Sequence, residues 1–382
     1  MRKGKSILAW LLCLVMLWGL CAPANAEEAE LDRMIAETAN ALSSAGGHAG
    51  SVLADSKQVT PGSSLSDWMA ITLARSETPE RYDQYLSGLK KYVEKAYAKN
   101  GGLHDIKATE YHRISLAVLS LGGDPTAFGK KSNGTPIDLI ADGTYNFGEK
   151  ELGLQGLNGW IWALIALDAS GADVPEDARY SRQDMIDAII GAQNDDGSFS
   201  LDKGSGDVDI TAMALQALSP YAAYYDREIN AALCWLSLEM SDQCTFFYGD
   251  SESSESISQV IMALSALGWG VGDMPVFVRD GQTLYTALNR FRCSNGLYKH
   301  QPEDQEGDYL ATVQALQALL SIRGQENGGG YVFAYSGPMD PPQSKGGASG
   351  KSSTVLWIAA AAGVIVVAAG AVVVVQRRKK HG

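Results

Sequence analysis

The chain has 382 residues with 31 Lys and Arg against 44 Asp and Glu, a formal charge of −13. A surface this acidic argues against nucleic acid and anionic membrane surfaces as partners. Five cysteines without a Cys-x-x-Cys pair give little support to a structural zinc site.

Residues 1–26 carry Arg2, Lys3 and Lys5, the apolar run Ile7–Leu20 and then Ala24-Asn25-Ala26, the order of a secretory signal cleaved after Ala26. At the other end, residues 337–353 are rich in Gly, Ser and Pro and are expected to form a flexible stalk. Residues 354–376 follow as a predicted transmembrane helix, with Val355–Val375 apolar throughout, and 377–382 as a basic tail. No LPxTG-like sorting signal precedes the helix, so a retained anchor is expected. Arg377, Arg378, Lys379 and Lys380 put the tail in the cytoplasm, and the predicted location is a single-pass cell-surface protein with residues 27–336 as its extracellular domain. The signal and the tail hold seven basic residues and no acidic one, which leaves the exported part near −20.

Between these ends the chain repeats. Apolar helices are predicted at 66–74, 110–123, 158–171, 209–221, 256–270 and 309–321, with Leu73, Leu121, Leu167, Leu218, Leu267 and Leu319 in step. About 20 residues upstream of each leucine an apolar anchor stands beside a turn: Val52, Leu103, Phe147, Phe199, Phe247 and Tyr298. More polar helices with one apolar stripe are predicted at 31–42, 81–99, 135–146, 181–193, 228–240 and 281–292. Helices apolar on nearly every side, such as TAMALQAL, must be covered on both sides. Six inner helices ringed by six amphipathic ones give the predicted fold, an all-α α/α toroid of about six helical hairpins; an open superhelix is the alternative. Cys244 and Cys293 fall at nearly equivalent positions of neighbouring units and could form a disulfide, with three free thiols as the alternative.

The fourth unit, QNDDGSF followed by DVDITAMALQAL, resembles the prenyltransferase and squalene-cyclase repeat, and the resemblance extends as a repeat over roughly residues 31–335. It implies the toroid, which serves several chemistries, so the fold alone does not give the function. Class II terpenoid cyclases carry a DxDD acid motif; Asp207-Val208-Asp209-Ile210 matches it except at Ile210, and Asp209 would be the proton donor, with Asp207 beside it. Helix capping is the competing role for both carboxylates. The zinc site of protein prenyltransferases has no counterpart in place, since Asp242-Gln243-Cys244 precedes the inner helix by some ten residues. No cysteine has a thioester context. Cobalamin carriers share the repeat but hold their ligand against a further β domain, so a corrinoid ligand stays open only with a partner protein completing the site.

In this fold the first turns of the inner helices gather at one mouth. The residues expected there as ligand contacts are Trp68, Glu110, Tyr111, His112, Trp160, Trp162, Asp207, Asp209, Glu255, Asp308 and Tyr309, with Asp67, Arg113 and Ser258 nearby. Aromatic walls with scattered acids suit a small molecule, a peptide or a glycan. The leading expectation is a membrane-anchored extracellular module that binds a ligand or partner without catalysis, with no cofactor and no metal. The alternative is an exported enzyme, terpenoid cyclase-like through Asp209 or glycan-active through paired carboxylates such as Asp209 and Glu255 or Asp308.

Overall fold

The computed structural model describes residues 28–45, 51–202, 204–335 and 339–343; the predicted signal peptide, the run Val355–Val375, the basic tail and most of the stalk lie outside them. The described chain is all-α apart from one short hairpin, β1 (Phe247–Tyr248) and β2 (Ser251–Glu252). Among the described residues no helix is long and apolar enough to cross a membrane.

Among the described residues twelve α-helices alternate in burial. Six are covered on nearly every side: α2 (Ser64–Arg75), α4 (Ala108–Ser120), α6 (Asn158–Ser170), α8 (Val208–Leu218), α10 (Ser254–Ala266) and α12 (Tyr309–Glu326). The others, α1 (28–44), α3 (Tyr82–Asn100), α5 (Leu139–Gly143), α7 (Arg182–Ile190), α9 (Asp226–Glu239) and α11 (Leu284–Asn289), bury one stripe each. In α3 that stripe is Tyr82, Tyr85, Leu89, Val93 and Tyr97, the spacing of one helix face. The predicted outer helices at 135–146 and 281–292 shrink to the short α5 and α11.

The covered helices neighbour one another in order, α2 beside α4 and so on to α12, and α12 returns to α2. There the Gln317 amide donates to Thr72 Oγ1 at 2.8 Å. Outside this contact α1 ties the two ends of the chain: Glu37 pairs with Arg292 at 2.6 Å, and Ser43 donates to Glu80 at 2.5 Å. The Glu80 carboxylate, fully buried, also accepts from the Ser51 hydroxyl and from the backbone N–H groups of Val52 and Leu53.

The turn before α8 shows how one unit is built. Asn194 to Gly197 reverses the chain with Gly197 at φ 93°, and a side chain there would strike the Ala231 carbonyl 2.6 Å away. Phe199, wholly buried, then donates its N–H to Thr211 Oγ1 at 2.9 Å, which locks the turn to the first turn of α8. The sixth unit repeats the device: Tyr298 donates its N–H to Thr312 Oγ1 at 2.8 Å. Asp207 caps α8 by accepting from Ile210 N at 2.8 Å, and Asp308 caps α12 by accepting from Ala311 N at 2.9 Å.

Three expectations are corrected. In the fifth unit the buried anchor is Phe246, while Phe247 is half exposed, because β1 turns it outward. Cys244 and Cys293 are not bonded: both are free thiols. Cys244 sits at φ 57°, buried, with its Sγ donating to the Gln282 carbonyl at 3.3 Å. Residues 339–343 of the expected stalk are also fastened to the helices, since Met339 N donates to Leu119 O at 2.9 Å and Glu80 N to Pro342 O at 3.4 Å.

The paired turn locks give a direct test. Thr211→Val and Thr312→Val keep side-chain shape but leave a buried N–H without an acceptor, and each should lower stability by about 1–3 kcal/mol in urea unfolding. The exposed Thr60 hydroxyl should cost less than about 0.5 kcal/mol when treated the same way.

Candidate ligand-binding recess

Inside the ring of covered helices lies a recess of about 230 Å³. Its walls come from five of them: Trp68 on α2, Trp162 on α6, Asp209 and Met213 on α8, Gln259 on α10, and Leu310, Val313, Gln314 and Gln317 on α12. Asp209 and Leu310 stand in first turns, and Leu310 is partly open to solvent, so the mouth is at the N-terminal end of the inner helices.

The opposite end is closed by the chain itself. After α12 the backbone doubles back, which Gly324 permits, because a Cβ there would lie 2.1 Å from the Gly330 carbonyl. The strap of residues 331–335 then crosses the C-terminal ends of the inner helices. Arg75, the last residue of α2, donates to Ala334 O at 3.1 Å and lies 4.8 Å from the Tyr335 ring centroid. Tyr335 shares a hydrogen bond with Ser120, the last residue of α4, at 2.8 Å. Between these ties Phe333 is driven inward onto both indoles of the recess, with centroids 5.8 Å from Trp68 and 5.5 Å from Trp162. The indoles meet each other at 5.1 Å. A second cavity of about 370 Å³ lies on the far side of Phe333, under the strap.

The polar groups of the recess divide into tied and untied. Gln216 donates to Gln259 Oε1 at 2.9 Å and Gln259 donates to Gln314 Oε1 at 2.9 Å, a chain of amides across α8, α10 and α12; Gln216 itself lines the second cavity, where its Oε1 is buried without a partner. Asp209 is different. Its Oδ1 is buried and has no hydrogen-bond partner, so the carboxylate is not the helix cap its position suggested; Asp207 alone does that. Burial pushes the Asp209 carboxyl up to about 6, the Ser256 hydroxyl favours the charged form, and the negative charges of Asp207 and Glu255 raise it further.

Of the residues expected at the mouth, the recess gathers Trp68, Trp162 and Asp209. Tyr111 is buried instead, its hydroxyl accepting from Leu103 N at 2.8 Å. His112 is buried beside α5 with Nε2 2.6 Å from the Gly143 carbonyl, and burial lowers its pKa to about 4, which keeps the ring neutral. Trp160 points away from the ring, against Tyr180 in an open outer groove. Asp207 and Asp308 are spent on capping. Glu255 is buried and places both carboxylate oxygens 2.8 Å from His300 Nδ1. Partial burial works against a charge on His300, but Glu255, with Asp304 and Asp308, holds its pKa above the ordinary value. Glu110 and Tyr309 are half-buried and do not line the recess. Asp67 is fully buried between Arg113 Nε at 2.9 Å, the Tyr85 hydroxyl at 2.7 Å and Gly62 N at 3.0 Å, a link joining α2, α3 and α4.

The glutamines and Phe333 were not foreseen. A signal existed: Gln216 and Gln317 each interrupt an otherwise apolar stretch, ALQAL in both cases. Among the described residues no group of three or more His, Cys, Asp and Glu could hold a metal ion. No protein-family model and no curated protein matches the chain.

The unpartnered carboxylate has a measurable cost. An acid whose folded pKa lies near 6, above its ordinary 3.8, destabilises the fold when charged, and the penalty fades as pH falls through 6 towards 4. Asp209→Asn should therefore raise stability at pH 7.5 by about 1–2 kcal/mol, with the gain gone below pH 4 in unfolding curves. A loss of stability at pH 7.5 would show that the carboxylate is satisfied in the fold.

Proposed function

We propose that this protein is a membrane-anchored extracellular binding module, an α/α toroid of the prenyltransferase and squalene-cyclase repeat kind, that holds a small ligand in its central recess without transforming it. The observation that carries the reading is the Asp209 Oδ1 atom, buried without a partner in a cavity walled by two indoles and closed at its far end. A fold keeps such a destabilised group where a ligand compensates it. The return of α12 to α2 supports the closed ring over an open superhelix.

Three further points support binding over catalysis. The Asp209 carboxylate has no second acid free to assist it, because Asp207 is held as a cap. Glu255 and Asp308, the carboxylates considered beside it for glycan chemistry, are committed to His300 and to capping α12. The neutral His112 lies outside the recess, against α5. The enzyme reading has one observation in its favour: a carboxyl with a pKa near 6 is suited to donate a proton.

The test is a ligand-observed NMR screen of the full chain in dodecyl maltoside, using small neutral, anionic and cationic organic molecules, beside Val313→Trp, which fills the recess. Binders should lose at least tenfold affinity in the filled variant and persist unchanged over hours with the native protein. Binders indifferent to Val313→Trp would remove the recess from the proposal. Conversion of a molecule by the native protein and not by Asp209→Asn would establish the enzyme instead.

A further inference from the structure

Resting on the reading of the recess as the binding site, the geometry points to the class of its ligand: we infer that the recess takes a protonated primary amine on a short apolar stem, its ammonium donating to Asp209 Oδ1 and lying against the indoles of Trp68 and Trp162. The amides that line the recess leave little other polar demand, since Gln259 accepts from Gln216 and donates to Gln314, and the unpartnered Gln216 Oε1 belongs to the second cavity. What remains is an anionic acceptor lacking a donor, and a donor that also carries positive charge satisfies both deficits at once.

The surroundings select a cation over a neutral donor. Among the described residues no Lys or Arg lines the recess. Asp207 and Glu255 add negative potential at Asp209, and His300, the cation next in line, is paired with Glu255. Indole faces attract an ammonium more strongly than they attract a neutral alcohol of the same shape. An exported surface near −20 draws cations towards the mouth as well. Met213 and Val313 supply the apolar wall for the stem, and about 230 Å³ admits a chain of only a few carbons. A quaternary ammonium has the charge but no N–H, so it leaves Oδ1 unsatisfied and is the poorer ligand.

The amine could be free or be a lysine side chain, and the experiment separates the two. Isothermal titration of the full chain in dodecyl maltoside compares n-butylammonium with Nα-acetyl-lysine N-methylamide, and both with tetramethylammonium, 1-pentanol and butyrate. At pH 7.5 n-butylammonium should bind at least tenfold more tightly than 1-pentanol and tetramethylammonium, with butyrate silent. Tighter binding of the lysine amide than of n-butylammonium assigns the site to a lysyl side chain; the reverse assigns it to a free amine.

Asp209→Asn should weaken n-butylammonium at least tenfold while leaving 1-pentanol unchanged. Trp162→Leu should weaken the amine more than the alcohol. Binding of the amine should also fall as pH drops below 6, where Asp209 takes up its proton; the other titrating groups around it are Asp207, Glu255 and, through Glu255, His300. If 1-pentanol or butyrate binds as well as the amine and is lost in Val313→Trp, the recess stands and the cationic ligand is overturned. If none of the five probes binds, both are overturned.

Discussion

The return of α12 to α2 is the contact on which the remainder depends. Helices such as α8 and α10 bury residues on every face, so each needs a neighbour on both sides and an outer layer behind it. In an open row the first and last inner helices would each leave an apolar flank to water, at a cost of about 25 cal/mol per Å² exposed. Closing the row removes both flanks and creates an interior that water reaches only from the ends. The Gln317 amide on Thr72 sets the register of this closure, and Glu37 with Arg292 repeats it in the outer layer.

A closed ring also explains why polar groups inside it carry such different energies. Asp67 is as buried as any side chain in the protein, yet a guanidinium, a phenol and a backbone N–H converge on it. Asp209 has a buried oxygen with none of these. The first arrangement joins three helices and serves the fold; the second leaves one carboxylate oxygen for which the fold supplies no donor. His112 and Asp209 also respond to acid in opposite senses. The histidine must take a proton against burial as pH falls from 6.5 towards 4, which destabilises the fold, while the aspartate sheds its penalty below 6.

The repeat was legible because a turn, a buried anchor and an apolar helix recur at a fixed period, and Val52, Leu103, Phe147, Phe199 and Tyr298 are all buried as that pattern requires. Helix phase was not legible. Trp160 and Trp162 lie two residues apart, about 200° around the helix, and α6 has no polar face to show which of them points inward. Tyr111 and His112 were placed at the mouth for the same reason, whereas α4 turns them to the turns and outer helices around it. The glutamines escaped because an isolated amide in an apolar helix reads as a tolerated core residue until its neighbours across the ring are known. Residues 339–343 read as stalk because Pro dominates their composition, although their backbone bonds fasten them to Leu119 and Glu80.

That fastening sets the order in which the protein would bear load. The strap and the segment to Gln343 leave the ring on the way to the C-terminus, so a pull applied there meets the Asp83–Gln343 and Glu80–Pro342 bonds first, then Met339 on Leu119, then the Tyr335–Ser120 and Arg75–Ala334 ties. Only after these yield does tension reach Phe333, the side chain standing between the recess and the cavity behind it. The bonds would be peeled one at a time rather than sheared together, and extraction of Phe333 would turn a blind pocket into an open bore.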